Sequence, residues 1–60
     1  MTNYHIEYFR SENPCEPGGP VIYTDIDDAY DAAELYSAKY YEPVNIYENN
    51  AHFATVKNYG

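Results

Sequence analysis

Basic residues are scarce in this sequence. Three Lys and Arg stand against ten Asp and Glu, leaving a net charge of −7. Such a surface repels nucleic acid and anionic membranes and attracts basic proteins. Cysteine is nearly absent as well: Cys15 stands alone, which rules out an internal disulfide and fits a reducing compartment. Its neighbours are Pro14 and Glu16 rather than a cation, so nothing local activates the thiol, and it reads as a bystander in a loop. Long apolar runs are also missing. No stretch approaches the ~20 residues of a membrane helix, and no basic segment followed by an apolar core marks a secretory signal. These absences together describe a soluble, cytoplasmic protein that makes no direct contact with nucleic acid or membrane.

Catalytic and metal-binding patterns are wanting too. His5 and His52 with Cys15 match no zinc spacing. Ser11 and Ser37 lie in no nucleophile-elbow setting, and Gly18-Gly19 lacks the lysine and following helix of a phosphate loop. A calcium loop counted from Asp25 needs glycine at its sixth position and glutamate at its twelfth. Tyr30 and Tyr36 occupy those places. The sequence therefore indicates no enzyme, no metal and no cofactor.

What is abundant is carboxylate and tyrosine. Nine tyrosines argue for a folded chain, since disordered acidic segments are poor in aromatics. Sixty residues suffice for one small domain, 1–60. A chain of this size buries only about 60% of its unfolded surface, so self-association is a common support.

Tyr4 to Arg10 alternates as a strand, with Tyr4, Ile6 and Tyr8 on one face. Three prolines and two glycines make 11–20 a loop, and Val21 to Thr24 reads as a short second strand. The helix is expected over Asp25 to Tyr41. Thr24 or Asp25 is placed to cap it, and Pro43 lies just beyond its end. At 100° per residue, Ile26, Ala29, Tyr30, Ala33, Tyr36, Ser37 and Tyr40 share one side. Asp27, Asp28, Asp31, Glu34 and Leu35 share the other. Two further strands, 44–48 and 51–57, flank Asn49-Asn50, which suits a two-residue type I′ turn. That register sets Ile46 opposite Phe53 and Val44 opposite Thr55, facing the helix. Tyr47, His52, Ala54 and Val56 then point away. The expected fold is α+β: a two-layer β-β-α-β-β arrangement with one helix on a four-stranded antiparallel or mixed sheet. Its far face would hold Phe9, Tyr47, His52 and Val56, a partly apolar surface open to a homodimer partner.

The run Asp25 to Glu34 (DIDDAYDAAE) holds five of the ten carboxylates and no Lys or Arg. Asp27, Asp31 and Glu34 fall about one turn apart. Like charges at that spacing oppose a helix by a few tenths of a kcal/mol per pair. The plain reading is a solvated helix face, and the sharper one is an anionic docking surface. On the sharper reading the contact residues are Asp25, Asp27, Asp28, Asp31, Glu34 and Leu35, joined by Tyr30 and Tyr47 as aromatic anchors.

The segment YTDIDDAYDAA followed by PVNIYENN, in a short, strongly acidic β-β-α-β-β chain, resembles small acidic phage-encoded anti-defence proteins. These include anti-CRISPR proteins and DNA mimics. The likeness is one of organisation over the whole chain and matches no family motif. It implies a non-enzymatic inhibitor acting in the host cytoplasm, one that blocks a basic, nucleic-acid-binding host or defence protein. The alternative is a self-associating structural or accessory phage protein.

Overall fold

Asn49 and Asn50 decide where the chain reverses. Both have positive φ, 49° and 71°, which a type I′ hairpin turn demands and asparagine tolerates. The turn is held from outside: Asn49 N–H donates to the Asn3 carbonyl (2.8 Å) and Asn3 N–H donates to Asn49 Oδ1 (3.0 Å). In this computed structural model, which describes residues 2–10, 14–16 and 18–59, the turn joins the second and third strands of an antiparallel sheet. The elements are β1 (Tyr4–Tyr8), α1 (Ile26–Tyr40), β2 (Val44–Glu48) and β3 (Ala51–Val56). The sheet order is β1-β2-β3.

The fold is thus α+β with one helix on three strands, in β-α-β-β order. The strand expected over Val21 to Thr24 does not form. Tyr23 alone pairs, exchanging two 2.8 Å backbone hydrogen bonds with Tyr4. Val21 and Ile22 are left exposed. Their β propensity had no second partner residue to pair with, and propensity measures packing against neighbours more than backbone preference. With Pro14, which bridges to Glu7, Tyr23 covers part of the outer edge of β1.

The helix begins as its sequence dictates. Asp25 is extended (φ −118°, ψ 127°), and its carboxylate accepts from Asp27 N–H at 2.9 Å, satisfying one of the unpaired donors of the first turn. Ala29, Ala33 and Ser37, four residues apart, are buried without exposure against Ile6, Val44 and Ile46. Cys15 belongs to the same core and is 5% exposed, so it is no loop bystander. Tyr4, Tyr8, Tyr30, Tyr36 and Val56 close over the rim.

The hairpin register differs from the expected one. Val44 pairs with Val56 and Ile46 with Ala54, while Tyr47 pairs with His52. Phe53 is the extra residue of a β-bulge beside Ile46/Tyr47. A bulge changes which face the following side chains occupy. Val56 therefore packs on the core instead of pointing away, and Ala54 lies opposite core Ile46. Phe53 still meets the helix layer, edge-on to Tyr30 and Tyr4.

Helix α1 ends on Tyr41, in the left-handed region at φ 54°, ψ 44°. Glycine is the usual occupant there, because a Cβ costs about 1–2 kcal/mol in that conformation. Against this, glycine adds about 0.4–1 kcal/mol of unfolded-state entropy. Tyr41→Gly is therefore expected to stabilise the fold by about 0.5–1 kcal/mol, read as a higher urea midpoint. A lowered midpoint would show that the exposed ring contributes packing.

Candidate functional site

The outward side of α1 carries the densest charge. Asp27, Asp28, Asp31 and Glu34 are all exposed, and none makes an ion pair among the described residues. Asp31 lies within one helical turn of Asp27, Asp28 and Glu34, so this face carries about 1 kcal/mol of mutual repulsion. Lys39 does not relieve it. Its neighbours at i−4 and i−3 are Leu35 and Tyr36, and its ammonium lies over the Tyr40 ring, 5.3 Å from the centroid. Leu35 sits four residues after Asp31 and is 62% exposed. An apolar side chain thus stands out of an unneutralised acidic stripe. Asp25 belongs to this end but already serves as the helix cap.

Tyr30 and Tyr47 are not brought to this surface. Tyr30 is half-buried, packed on the core and against Phe53. Tyr47 lies on the opposite layer, across the sheet from the helix. There the bulge creates a polar row that the sequence did not disclose. His5 stacks on Tyr47 (centroids 4.9 Å, 11° between planes), and His52 meets the same ring edge-on at 5.9 Å. His5 Nε2 donates to Glu7 Oε2 at 2.9 Å. Thr55 Oγ1 donates to Asn45 Oδ1 at 2.6 Å and lies 3.0 Å from His52 Nε2. The single hydroxyl proton is committed to Asn45, so His52 is the donor in the second contact. Residues 52 and 55 share a face only because Phe53 is bulged, since a regular strand would separate them. The far face is therefore a self-satisfied polar and aromatic network rather than the apolar patch of Phe9, Tyr47, His52 and Val56. Phe9 ends the list by lying past β1, exposed, with its N–H bonded to the Pro43 carbonyl (3.1 Å).

A third cluster lies at the loop edge of β1. Burial, and then the Glu16, Glu42 and Glu7 carboxylates, push the Cys15 thiol up to about 12. Burial chiefly, with the Cys15 thiol next, pushes the Tyr8 hydroxyl up to about 12. Tyr23 is raised as well, by burial and by donating to Glu16 Oε2 at 2.8 Å. Glu16 is 8% exposed, and its other carboxylate oxygen has no partner among the described residues. A thiol with a raised pKa is a poor nucleophile. No three His, Cys, Asp or Glu converge as a metal set, and no pocket opens, among the described residues.

No family model, curated protein or solved structure matches the chain.

The raised thiol and phenol values fix a pH dependence. Cys15 and Tyr8 have ordinary values of 9.0 and 10.0 and folded values near 12. A group raised on folding stabilises fully below its unfolded value, and that stability is lost as pH climbs through the folded one. The urea midpoint should hold from pH 7 to 9 and fall between pH 9 and 12. Cys15→Ala should show a shallower fall. An unchanged midpoint at pH 11 would contradict the burial of both groups.

Proposed function

We propose that this protein is a non-catalytic, acidic protein-binding inhibitor that docks the outward face of α1 on a basic host or defence protein. The observation that carries the reading is the unpaired stripe Asp27, Asp28, Asp31, Glu34 with Leu35 protruding from it. Such a stripe raises association rates with basic partners and selects against acidic ones. Leu35 supplies the apolar contact that charge alone does not, since burying a leucine side chain is worth about 1.5–3 kcal/mol. The resemblance to acidic anti-defence proteins supports inhibition as the outcome. A line of carboxylates can occupy a groove built for phosphates, in the host cytoplasm where such targets work. No helix is long and apolar enough to cross a membrane among the described residues.

The test is affinity capture from a bacterial lysate with the parent and with Asp27→Asn/Asp31→Asn/Glu34→Gln. A basic protein should be retained by the parent and lost by the variant. Retention should weaken steadily as salt rises, because exposed charges are screened beyond about 8 Å at physiological ionic strength. Leu35→Ala should weaken the same complex about tenfold, equivalent to roughly 1.4 kcal/mol. The triple variant should fold as well as the parent, since these side chains lie opposite the Ala29/Ala33/Ser37 stripe. Equal capture by parent and triple variant would leave the acidic face as a solvated surface only.

A further inference from the structure

The two edges of the sheet are finished differently. The outer edge of β1 is covered: Tyr23 exchanges two backbone hydrogen bonds with Tyr4, and Pro14 bridges to Glu7. Among the described residues, no backbone bond reaches the outer edge of β3. Which of its groups are free follows from the ladder. The Pro43 carbonyl accepts from Phe9, and Asn49 N–H donates to Asn3, so the odd-numbered residues along β2 turn their backbone groups toward β1. Antiparallel strands alternate in bonding direction. Val44, Ile46 and Glu48 therefore turn theirs toward β3, where Val56, Ala54 and Ala51 are their partners. Thr55, between two residues paired inward, directs both its N–H and its C=O outward. On either side of it, Phe53 is the extra residue of the bulge and Lys57 follows the last paired residue. Carboxylates do not guard this edge: all ten lie within residues 7–48, and residues 49–60 hold none.

We propose that β3 pairs antiparallel with β3 of a second copy about a two-fold axis at Thr55, joining two three-stranded sheets into one. The occupant is this same chain because the edge is its own complement. Thr55 lies opposite Thr55 of the second copy and exchanges both backbone hydrogen bonds with it. Phe53 lies opposite Lys57 of the second copy, and by symmetry Lys57 lies opposite its Phe53. On the helix side, Val56 lies opposite Ala54 of the second copy, so the apolar row of one sheet runs on into the other. Phe53 is 47% exposed on that same side, against Tyr4 and Tyr30. The net charge of −7 opposes any meeting of copies, but on this strand no carboxylate meets another. The two lysines of the pair stay apart, since residues 53 and 57 are separated by ~13 Å along a strand, beyond the Debye length of about 8 Å near 0.15 M salt. A bulge and a lysine are devices that blunt an edge. Here they bracket the pairing stretch and confine it to residues 53–57, so the contact is weak and needs concentrated protein. With the β1 edge already covered, a two-fold contact at β3 closes the assembly at two chains. This self-contact uses no residue of the outward face of α1 and does not rest on the inhibitor reading.

The test is light scattering over a concentration series reaching several hundred micromolar protein. The weight-average mass should rise from the 6.9 kDa of one chain toward twice that value and no further. It should rise at lower protein concentration in about 1 M NaCl than in about 0.01 M, because screening lengths of about 3 and 30 Å respectively remove and retain the repulsion between copies. That trend is the reverse of the one expected for capture of a basic protein, so the two readings fail separately. Amide hydrogen exchange followed by NMR locates the contact: the Thr55 N–H should exchange freely in dilute protein and become protected in concentrated protein. Lys57→Pro removes an outward donor at a place where edge strands tolerate proline, and should weaken dimerisation at least about tenfold, or ~1.4 kcal/mol. Lys57→Gln keeps that donor and should dimerise like the parent. Circular dichroism of each variant confirms that it is folded before it is scored. If Lys57→Pro alters the fold, the concentration dependence of Thr55 exchange in the parent decides alone. Asp27→Asn/Asp31→Asn/Glu34→Gln should dimerise at least as strongly as the parent. A mass of 6.9 kDa at every concentration and salt would overturn the proposal. So would a dimer whose Thr55 N–H stays unprotected, a folded Lys57→Pro variant dimerising as strongly as the parent, or weaker dimerisation of the triple variant.

Discussion

The fold depends on one close contact, the meeting of Ala29, Ala33 and Ser37 with Ile6, Val44 and Ile46. Small residues four apart give the helix a face without long side chains, so it can lie near the sheet. The short aliphatic side chains of β1 and β2 then reach its surface. Little else is fully buried. A layer this thin cannot keep water out at its margins, and the aromatics perform that task on both sides of the helix. Tyr8, Tyr36 and Tyr40 form one wall, with Tyr8 edge-on to Tyr40 and Tyr36 stacked beside it. Tyr4, Tyr30 and Phe53 form the other. The abundance of tyrosine is thereby explained in large part by architecture. These rings cover apolar area at the margins of the core.

Serine in the middle of the buried stripe has its own reason. Ser37 Oγ accepts from Asn58 N–H at 2.9 Å, while Asn58 Nδ2 donates to the Glu34 carbonyl at 3.1 Å. An alanine at this place would pack equally well but would leave the Asn58 amide without that acceptor. The two contacts tie the chain after β3 down onto the helix.

Local signals were readable in the sequence, and pairing was not. The Asp25 cap, the outward set Asp27, Asp28, Asp31, Glu34 and Leu35, and the Asn49-Asn50 turn each depend on residues within a few positions. All appear where helix period and turn chemistry put them. The Val21 to Thr24 strand failed because a strand needs a partner length, and only Tyr23 finds one, at Tyr4. The register failed after the turn because a single bulged residue, Phe53, resets the alternation. No local pattern distinguishes a bulged phenylalanine from a regular one. From that slip follow the inward Val56 and the polar row His5, Tyr47, His52, Thr55 and Asn45. Tyr30 packs on the core and against Phe53 rather than at an interface, as its helix position beside Ala33 dictates.

The placement of β1 has a consequence in time. Ile6 pairs with Ile46 across the sheet, so the first strand of the chain must wait for β2, and β2 in turn is steadied by the hairpin that follows it. During synthesis the order of appearance is therefore the reverse of the order of usefulness. The Tyr4–Tyr8 segment emerges with its hydrogen-bonding edge and its tyrosines uncovered and with nothing yet to pair against. The helix and hairpin contacts are short in sequence and can form early, whereas the β1–β2 pairing closes a long loop. That pairing brings Ile6 under the helix and joins the carbonyl and amide of Asn3 to the turn at Asn49.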